Sequence, residues 1–406
     1  MSRVIKKISL ICLMIICVSF FFFGVFFERP KNVVKDQSPV KNQPTFVWGH
    51  ETLNVSLSEK STIKVNEATQ KKAQKNDLPT VKKSIKNNED KLWNKQLTSN
   101  DLIWRLQRQR THYQGLNRYK VKFLGTINQQ HSPHDLLCQL KQRVNMTTLK
   151  TSDLPENVSS WSQYLPNKDI HEAVGKLKRC AVVSSAASMK GSKLGEEIDS
   201  HDAVLRFNAA PTKGYETDVG SKTTFRLINS QIVTQKEFKF LENSIYKDVV
   251  LILWDPAPYK ADVYQWFKKP EYKFGEPYQK YQVANPGQLF YIMKPQSLWQ
   301  IWNIIQENAP ERIHPNPPSS GTIGILWMMN ICDEVNVYEF LPSSRQSDQC
   351  YYFRKYSDTA CTYGAYHPLI YEKNLIGKLN QGPEDDIYKK GKITLPGLKN
   401  IECSMG

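Results

Sequence analysis

The chain has 406 residues, 40% of them hydrophobic and 23% charged, with a formal net charge of +16. This length and apolar content exclude a wholly disordered or fibrous chain and allow one large domain with a substantial core. The positive excess does not by itself indicate nucleic acid. The clusters Lys71, Lys72 and Lys82, Lys83 carry no interleaved aromatic residues, and a basic domain suits anionic small substrates equally well.

Residues 1–7 (MSRVIKK) form a short basic tail, and residues 8–27 are an uncharged apolar run. As a helix that run reaches about 30 Å, enough to cross a bilayer. A cleaved signal peptide would have a shorter apolar region followed by small residues. Here the run ends in FFFFGVFFERP, so an uncleaved signal anchor is expected. Residues 28–100 contain 14 basic and 8 acidic residues and little apolar surface, and are expected to be a disordered stem. Cleavage within it would release a soluble form.

Of eight cysteines, Cys12 and Cys17 lie in the apolar run. The other six are Cys138, Cys180, Cys332, Cys350, Cys361 and Cys403. Beyond a membrane anchor this even number reads as three disulfides in an oxidising lumen, with the pairing open. Zinc is the alternative, and no CxxC or HxxxH pair favours it. Sequons stand at Asn54, Asn145 and Asn157. Together with the cysteines they orient the chain with its N-terminus cytoplasmic and the remainder lumenal.

Residues 101–406 carry alternating element signals. DLIWRLQRQRTHYQGL has helical period. RCAVVSSAAS is a buried strand ending in a small-residue loop; MKGSKLGEEIDSHD is helix-compatible; AVLRFNAAP and TTFRLINSQ are further strands. DVVLILWD and QLFYIMKP are strands, SLWQIWNIIQEN a helix, NPPSSGTIGILWMMNICDEV a loop and a buried helix, and VNVYEF another strand. This alternation predicts an α/β fold with a largely parallel sheet. Asn208 and Asn229 fall where strands run out, the edge at which open α/β sheets bind ligands. Small residues opening the 317–322 stretch offer unpaired backbone N–H groups to an anion, although an ordinary Ser N-cap would look the same. The Ser184–Ser185 loop is not GxGxxG, so a dinucleotide site is not supported. His367 precedes a proline, and a helix bearing Glu372 is expected to start just after it.

Four segments in order then carry a resemblance. RCAVVSSAAS…DSHDAVLRFNAAPT…DVGSKTTFRLINS looks like the large motif of the animal sialyltransferases. NPPSSGTIGILWMMNICDEVNVYEF resembles their small motif, and YYFRKYSDTACTYGAYHP their third. His367 with Glu372 resembles the very small one. Together with NSQ at 229–231, WDP at 254–256 and the C-terminal PGLKNIEC, the lumenal part is most similar to the branch that makes α-2,6 linkages on β-galactosides of N-glycans.

The resemblance implies a modified GT-A, Rossmann-like fold. It implies transfer of sialic acid from CMP-sialic acid to the 6-hydroxyl of a terminal galactose, with inversion and without a metal or cofactor. No DxD pair, the usual metal site for a sugar nucleotide, is present. The resemblance makes His367 the catalytic base. Ser185, Asn208, Asn229, Ser319, Ser320, Gly321, Tyr351, Thr362, Tyr366 and Lys373 become contacts to CMP-sialic acid. Gln231 and Glu271 become acceptor contacts, and Glu372 a structural residue. It further implies the pairs Cys138–Cys403, Cys180–Cys332 and Cys350–Cys361, a Golgi type II membrane protein, galactose-terminated N-glycans as partners, and no nucleic acid. A homodimer is compatible with the sequence. The alternatives are another linkage, α-2,3 or α-2,8, and a non-catalytic glycan-binding protein.

Overall fold

The computed structural model describes residues 99–154, 161–345, 347, 349–357, 361, 364 and 366–404. The predicted tail, the anchor and all but the end of the stem lie outside the described residues. So do the sequons at Asn54 and Asn157 and the candidate contact Thr362. Among the described residues no helix is long and apolar enough to cross a membrane.

Among the described residues seven strands form one sheet: β1 Leu177–Val183, β2 Ala203–Phe207, β3 Phe225–Asn229, β4 Val250–Trp254, β5 Phe290–Ile292, β6 Cys332–Tyr338 and β7 Lys392–Pro396. Their order is β5-β4-β3-β2-β1-β6-β7. Every neighbouring pair is parallel except β6 with β7. Numbering only helices of ten residues or more, α1 is Ser99–Leu116, α2 Pro133–Arg143, α3 Gly275–Ala284, α4 Gln296–Asn308, α5 Ser320–Ile331 and α6 Leu369–Lys378.

The apolar runs become strands buried at every position of β2 and β3, as parallel strands covered on both faces require. Side chains alternate between faces. Cys180 and Val182 enter the larger core with α4 and α5, while Ala181 and Val183 enter a smaller one with Ile198, Val219 and Tyr352. Helix α5 lies close on β2: a Cβ on Gly324 would come 2.6 Å from Phe207. Any side chain there would force the helix off the sheet or displace the phenyl ring.

Two sequence expectations change. The helix read through NICDEV stops at Ile331, because Cys332 already pairs in register with Leu177 and Glu334 with Arg179. The helix expected in MKGSKLGEEIDSHD shrinks to Gly195–Asp199. Ahead of it, Gly191 and Lys193 turn left-handed, and both donate their N–H groups to the Asp218 carboxylate, at 2.8 and 3.0 Å. The short antiparallel β7 carried no recognised signal. Disulfides join Cys138–Cys403, Cys180–Cys332 and Cys350–Cys361, the pairs the resemblance implies.

Arg206 and Arg226 sit opposite each other in β2 and β3, both buried. Their guanidinium groups donate to backbone carbonyls instead of to carboxylates. Arg226 donates to Asn208 and Ala210 (2.8 and 3.0 Å), and Arg206 to Val219 and Lys222 (2.6 and 2.9 Å). Burial lowers each pKa to about 10, which still leaves both charged at neutral pH. Arg226 thereby fixes the turn after β2, where Asn208 adopts a left-handed backbone, φ 48°.

His314 is 1% exposed and stands edge-on to Tyr113, with ring centroids 5.7 Å apart. Neither ring nitrogen meets a hydrogen-bond partner among the described residues. Burial, reinforced by Arg110 and His367, lowers its pKa to about 4. The unfolded chain binds that proton near pH 6.5. The associated stability is therefore complete above about pH 6.5 and lost as pH falls toward 4, by about 2 kcal/mol at pH 5. His314→Phe keeps the ring and removes the titration. Its urea midpoint should fall less between neutral pH and pH 5 than the parent's, and an equal fall would exclude His314 as the source.

Candidate active site

Strand order reverses between β1 and β6. Loops leaving neighbouring carboxyl ends diverge at such a point and leave a crevice. A cavity of about 170 Å³ opens there. Ser184, Ser185 and Ala186 line it from the end of β1, and Glu339 and Phe340 from the end of β6. Ser319, Ser320 and Gly321 line it from the start of α5, together with Asn229, Cys350, Tyr351, His367 and Lys373. Eight residues singled out from sequence thus share one cavity: Ser185, Asn229, Ser319, Ser320, Gly321, Tyr351, His367 and Lys373.

The start of α5 is held by Glu372 of α6. Its carboxylate accepts from the Ser319 N–H at 2.9 Å, from the Ser319 hydroxyl, and from Thr322 Oγ1 at 2.6 Å. Ser319 Oγ in turn caps the helix by accepting from the Thr322 N–H. Ser320 Oγ accepts from Trp254 Nε1 at 3.0 Å, tying the loop to β4. Gly321 packs against Phe340, which a Cβ would approach to 2.8 Å. Glu372 itself lies beneath the cavity, fully buried.

His367 is buried, and its Nδ1 contacts the Pro317 carbonyl at 2.7 Å. A carbonyl oxygen only accepts, so Nδ1 carries the proton in the neutral ring and Nε2 keeps the basic lone pair. The Tyr366 ring meets the imidazole edge-on, centroids 4.9 Å apart. Lys373 is partly buried, which lowers its pKa to about 8, while Glu372 and Glu339 oppose that fall.

Asn208 does not line the cavity. Its Oδ1 accepts from the Asn229 N–H at 3.0 Å, fixing the end of β3 from below. Ser185 Oγ, in the cavity wall, is buried without a hydrogen-bond partner among the described residues and could take one from a bound group; Asn208 Nδ2, behind the wall, is buried likewise.

Gln231, Glu271 and Tyr366 form a second cluster. Asp255, at the end of β4, accepts from the Ser230 hydroxyl, from Trp266 Nε1 (2.8 Å) and from the Glu271 and Tyr272 N–H groups (2.9 and 3.3 Å). Burial raises its pKa to about 6 against those four hydrogen bonds. It thereby fastens the short helix Ser230–Thr234 to the 271–272 loop, and Gln231 Nε2 donates to the Tyr272 hydroxyl at 2.6 Å. The Glu271 carboxylate pairs with Arg118. Burial raises its pKa and Arg118 opposes the rise. The Tyr119 and Tyr366 hydroxyls meet at 2.5 Å, so Tyr366 links this cluster to His367. Burial, then the neighbouring Tyr119, pushes the Tyr366 pKa well up and keeps its hydroxyl protonated.

Sequence reasoning did not find Glu339, Phe340, Arg118, Tyr119 or Tyr272. Asp255 stood at a strand end, but nothing in its neighbours indicated that a carboxylate there would be completely buried.

The model for glycosyltransferase family 29 (sialyltransferase) matches residues 123–382. The chain is 51% identical over 313 residues to human beta-galactoside alpha-2,6-sialyltransferase 1, covering 77% of each chain. It is 50% identical over 318 residues to chicken beta-galactoside alpha-2,6-sialyltransferase 2, covering 77% of this chain and 59% of that one. A crystal structure of a mammalian sialyltransferase is similar at TM-score 0.41 and 21% identity, over 63% of this chain and 95% of that one. The chain therefore belongs to glycosyltransferase family 29, the sialyltransferases.

Proposed function

We propose that this protein transfers sialic acid from CMP-sialic acid to the 6-hydroxyl of a terminal β-galactose on glycoprotein glycans. The cavity between β1 and β6 would take the donor, and the cluster at Gln231, Glu271, Arg118 and Tyr119 would take the acceptor. The observation that carries the reading is the His367 ring: Nδ1 is held by the Pro317 carbonyl, so Nε2 is the basic nitrogen in a wall of the cavity.

A sugar hydroxyl is a poor nucleophile, and a base with a pKa near neutral can take its proton during attack. In the proposed step His367 Nε2 accepts the 6-hydroxyl proton and the oxygen bonds to the anomeric carbon of the sialic acid. The bond from that carbon to the phosphate oxygen breaks, and CMP leaves with the electron pair. Attack opposite the leaving group inverts the configuration. The departing phosphate gains charge, which the N-terminus of α5, the Ser320 hydroxyl and Lys373 are suited to stabilise, while Ser319, whose donors are spent on Glu372, holds that terminus in place. Ser185, Asn229 and Tyr351 complete the donor wall in this reading, and Asn208 supports Asn229 from below. Apart from Glu339, whose carboxylate is paired with Arg345, the wall offers hydroxyl, amide, imidazole and ammonium groups, so no metal is assigned a step.

The reading extends to the rest of the chain. We assign it a modified GT-A fold, a Golgi membrane location with residues 1–7 cytoplasmic and 8–27 spanning, a stem over 28–100 and a lumenal catalytic part over 101–406. The apolar run, the exposed sequon at Asn145 and the three disulfides support that topology.

Incubation with CMP-sialic acid and a galactose-terminated N-glycan should release CMP and give a product whose methylation analysis reads a 6-substituted galactose. A 3-substituted galactose or an 8-substituted sialic acid would refute the linkage. The same reaction should proceed undiminished in EDTA; loss restored by Mn²⁺ would contradict the metal-free mechanism. His367→Ala should lower kcat by about 10²–10⁴-fold while melting stays near the parent's. Transfer at the parent rate would remove His367 as the base.

A further inference from the structure

One wall residue runs against the proposed ligand. Glu339 lines a cavity that, on the reading above, takes an anionic sugar nucleotide, and its carboxylate sits shielded from solvent behind that wall. It directly follows β6, is 3% exposed, and has a left-handed backbone with φ 57°. A non-glycine residue keeps that conformation only where its surroundings determine it. Here its N–H donates to the Gly391 carbonyl at 2.7 Å, and a Cβ on Gly391 would lie 2.4 Å from the Glu339 carboxyl.

The carboxylate is fully compensated. Oε2 accepts from Ser188 Oγ at 2.6 Å and from the Ser343 N–H at 3.2 Å, and Oε1 accepts from Arg345 Nη2 at 2.6 Å. Arg345 is itself held by three carbonyls: Nε donates to Ser188 (3.0 Å), Nη1 to Lys389 (2.6 Å) and Nη2 to Lys390 (2.8 Å). A guanidinium fixed at both edges cannot swing toward a ligand, and its charge stays on Glu339. Hydroxyl and amide donors alone would have satisfied the carboxylate's lone pairs but not its charge.

We propose that Arg345 is a positioning and charge-balancing residue for donor binding: by pairing with Glu339 it keeps the end of β6 from presenting a net negative wall to the nucleotide. The proposal rests on the donor reading, and CMP itself is the probe. A pure clamp role predicts that every variant loses affinity in step with stability. The charge role predicts effects of opposite sign.

Binding of CMP to the full chain, measured by titration calorimetry alongside melting, separates the two. Arg345→Met should weaken CMP about 10-fold or more, since it leaves the charge of a buried carboxylate uncompensated behind the wall of an anion site. Glu339→Gln with Arg345 intact should instead tighten CMP about 3-fold, because the wall becomes net positive. The combined Glu339→Gln, Arg345→Met variant should recover most of the affinity lost by Arg345→Met alone. If Arg345→Met does not fold, the Glu339→Gln result carries the test by its sign. Losses in all variants that track melting, or no loss in folded Arg345→Met, overturn the proposal while leaving the donor reading intact. A parent chain that binds no CMP overturns both.

Discussion

The Glu372 carboxylate is the contact on which the rest of the site depends. It is fully buried and accepts three hydrogen bonds from Ser319 and Thr322, which lie some 50 residues earlier in the chain. A buried carboxylate left without donors would be strongly destabilising, so the pairing leaves the two segments little freedom to shift. One consequence is that the N-terminus of α5 faces the cavity with its capping serine already oriented. The other is that α6 starts at a defined place, which puts His367 within reach of the Pro317 carbonyl.

The same device recurs around the sheet edge, with different charges. Arg226 gathers the carbonyls after β2, Asp255 gathers the N–H groups of the 271–272 loop, and Glu339 gathers the Ser188 and Ser343 donors. Each is a buried ionic group whose hydrogen bonds cross between segments distant in sequence. Loops at the carboxyl edge of a parallel sheet have no ladder of their own to hold them. A charge with several fixed partners replaces that ladder, because moving any one loop would strand it in a low-dielectric interior. The apolar cores on the two faces supply most of the driving force for folding; the buried charges decide where the loops come to rest.

Much of the fold was legible. Apolar runs of strand length gave β1 to β6, since a parallel strand buried on both faces has few alternatives to Val, Ile, Leu and Phe. Most candidate site residues also lie around one cavity, because the motifs that carry them sit at strand ends and helix starts. The errors have specific causes. The boundary between α5 and β6 was misplaced because Met328, Ile331, Cys332 and Val335 continue an apolar stripe at helical spacing, and only pairing of Cys332 with Leu177 selects the strand. The helix before β2 was over-extended because Asp218, far along the chain, claims the N–H groups of Gly191 and Lys193.

Sequence alone determined the class of the protein: its parallel α/β pattern, its motif order, and a histidine poised before a proline and a helix. These are local properties, written in period, residue type and spacing. Tertiary structure alone decided the tautomer of His367, the burial of Asp255 and Glu339, and the junction of the Tyr119 and Tyr366 hydroxyls. Each of those depends on which distant group arrives at hydrogen-bond distance and on how much water it displaces. A carboxylate in the sequence shows neither its neighbours nor its solvation, so only the folded chain shows that Glu339 in the cavity wall is balanced by Arg345.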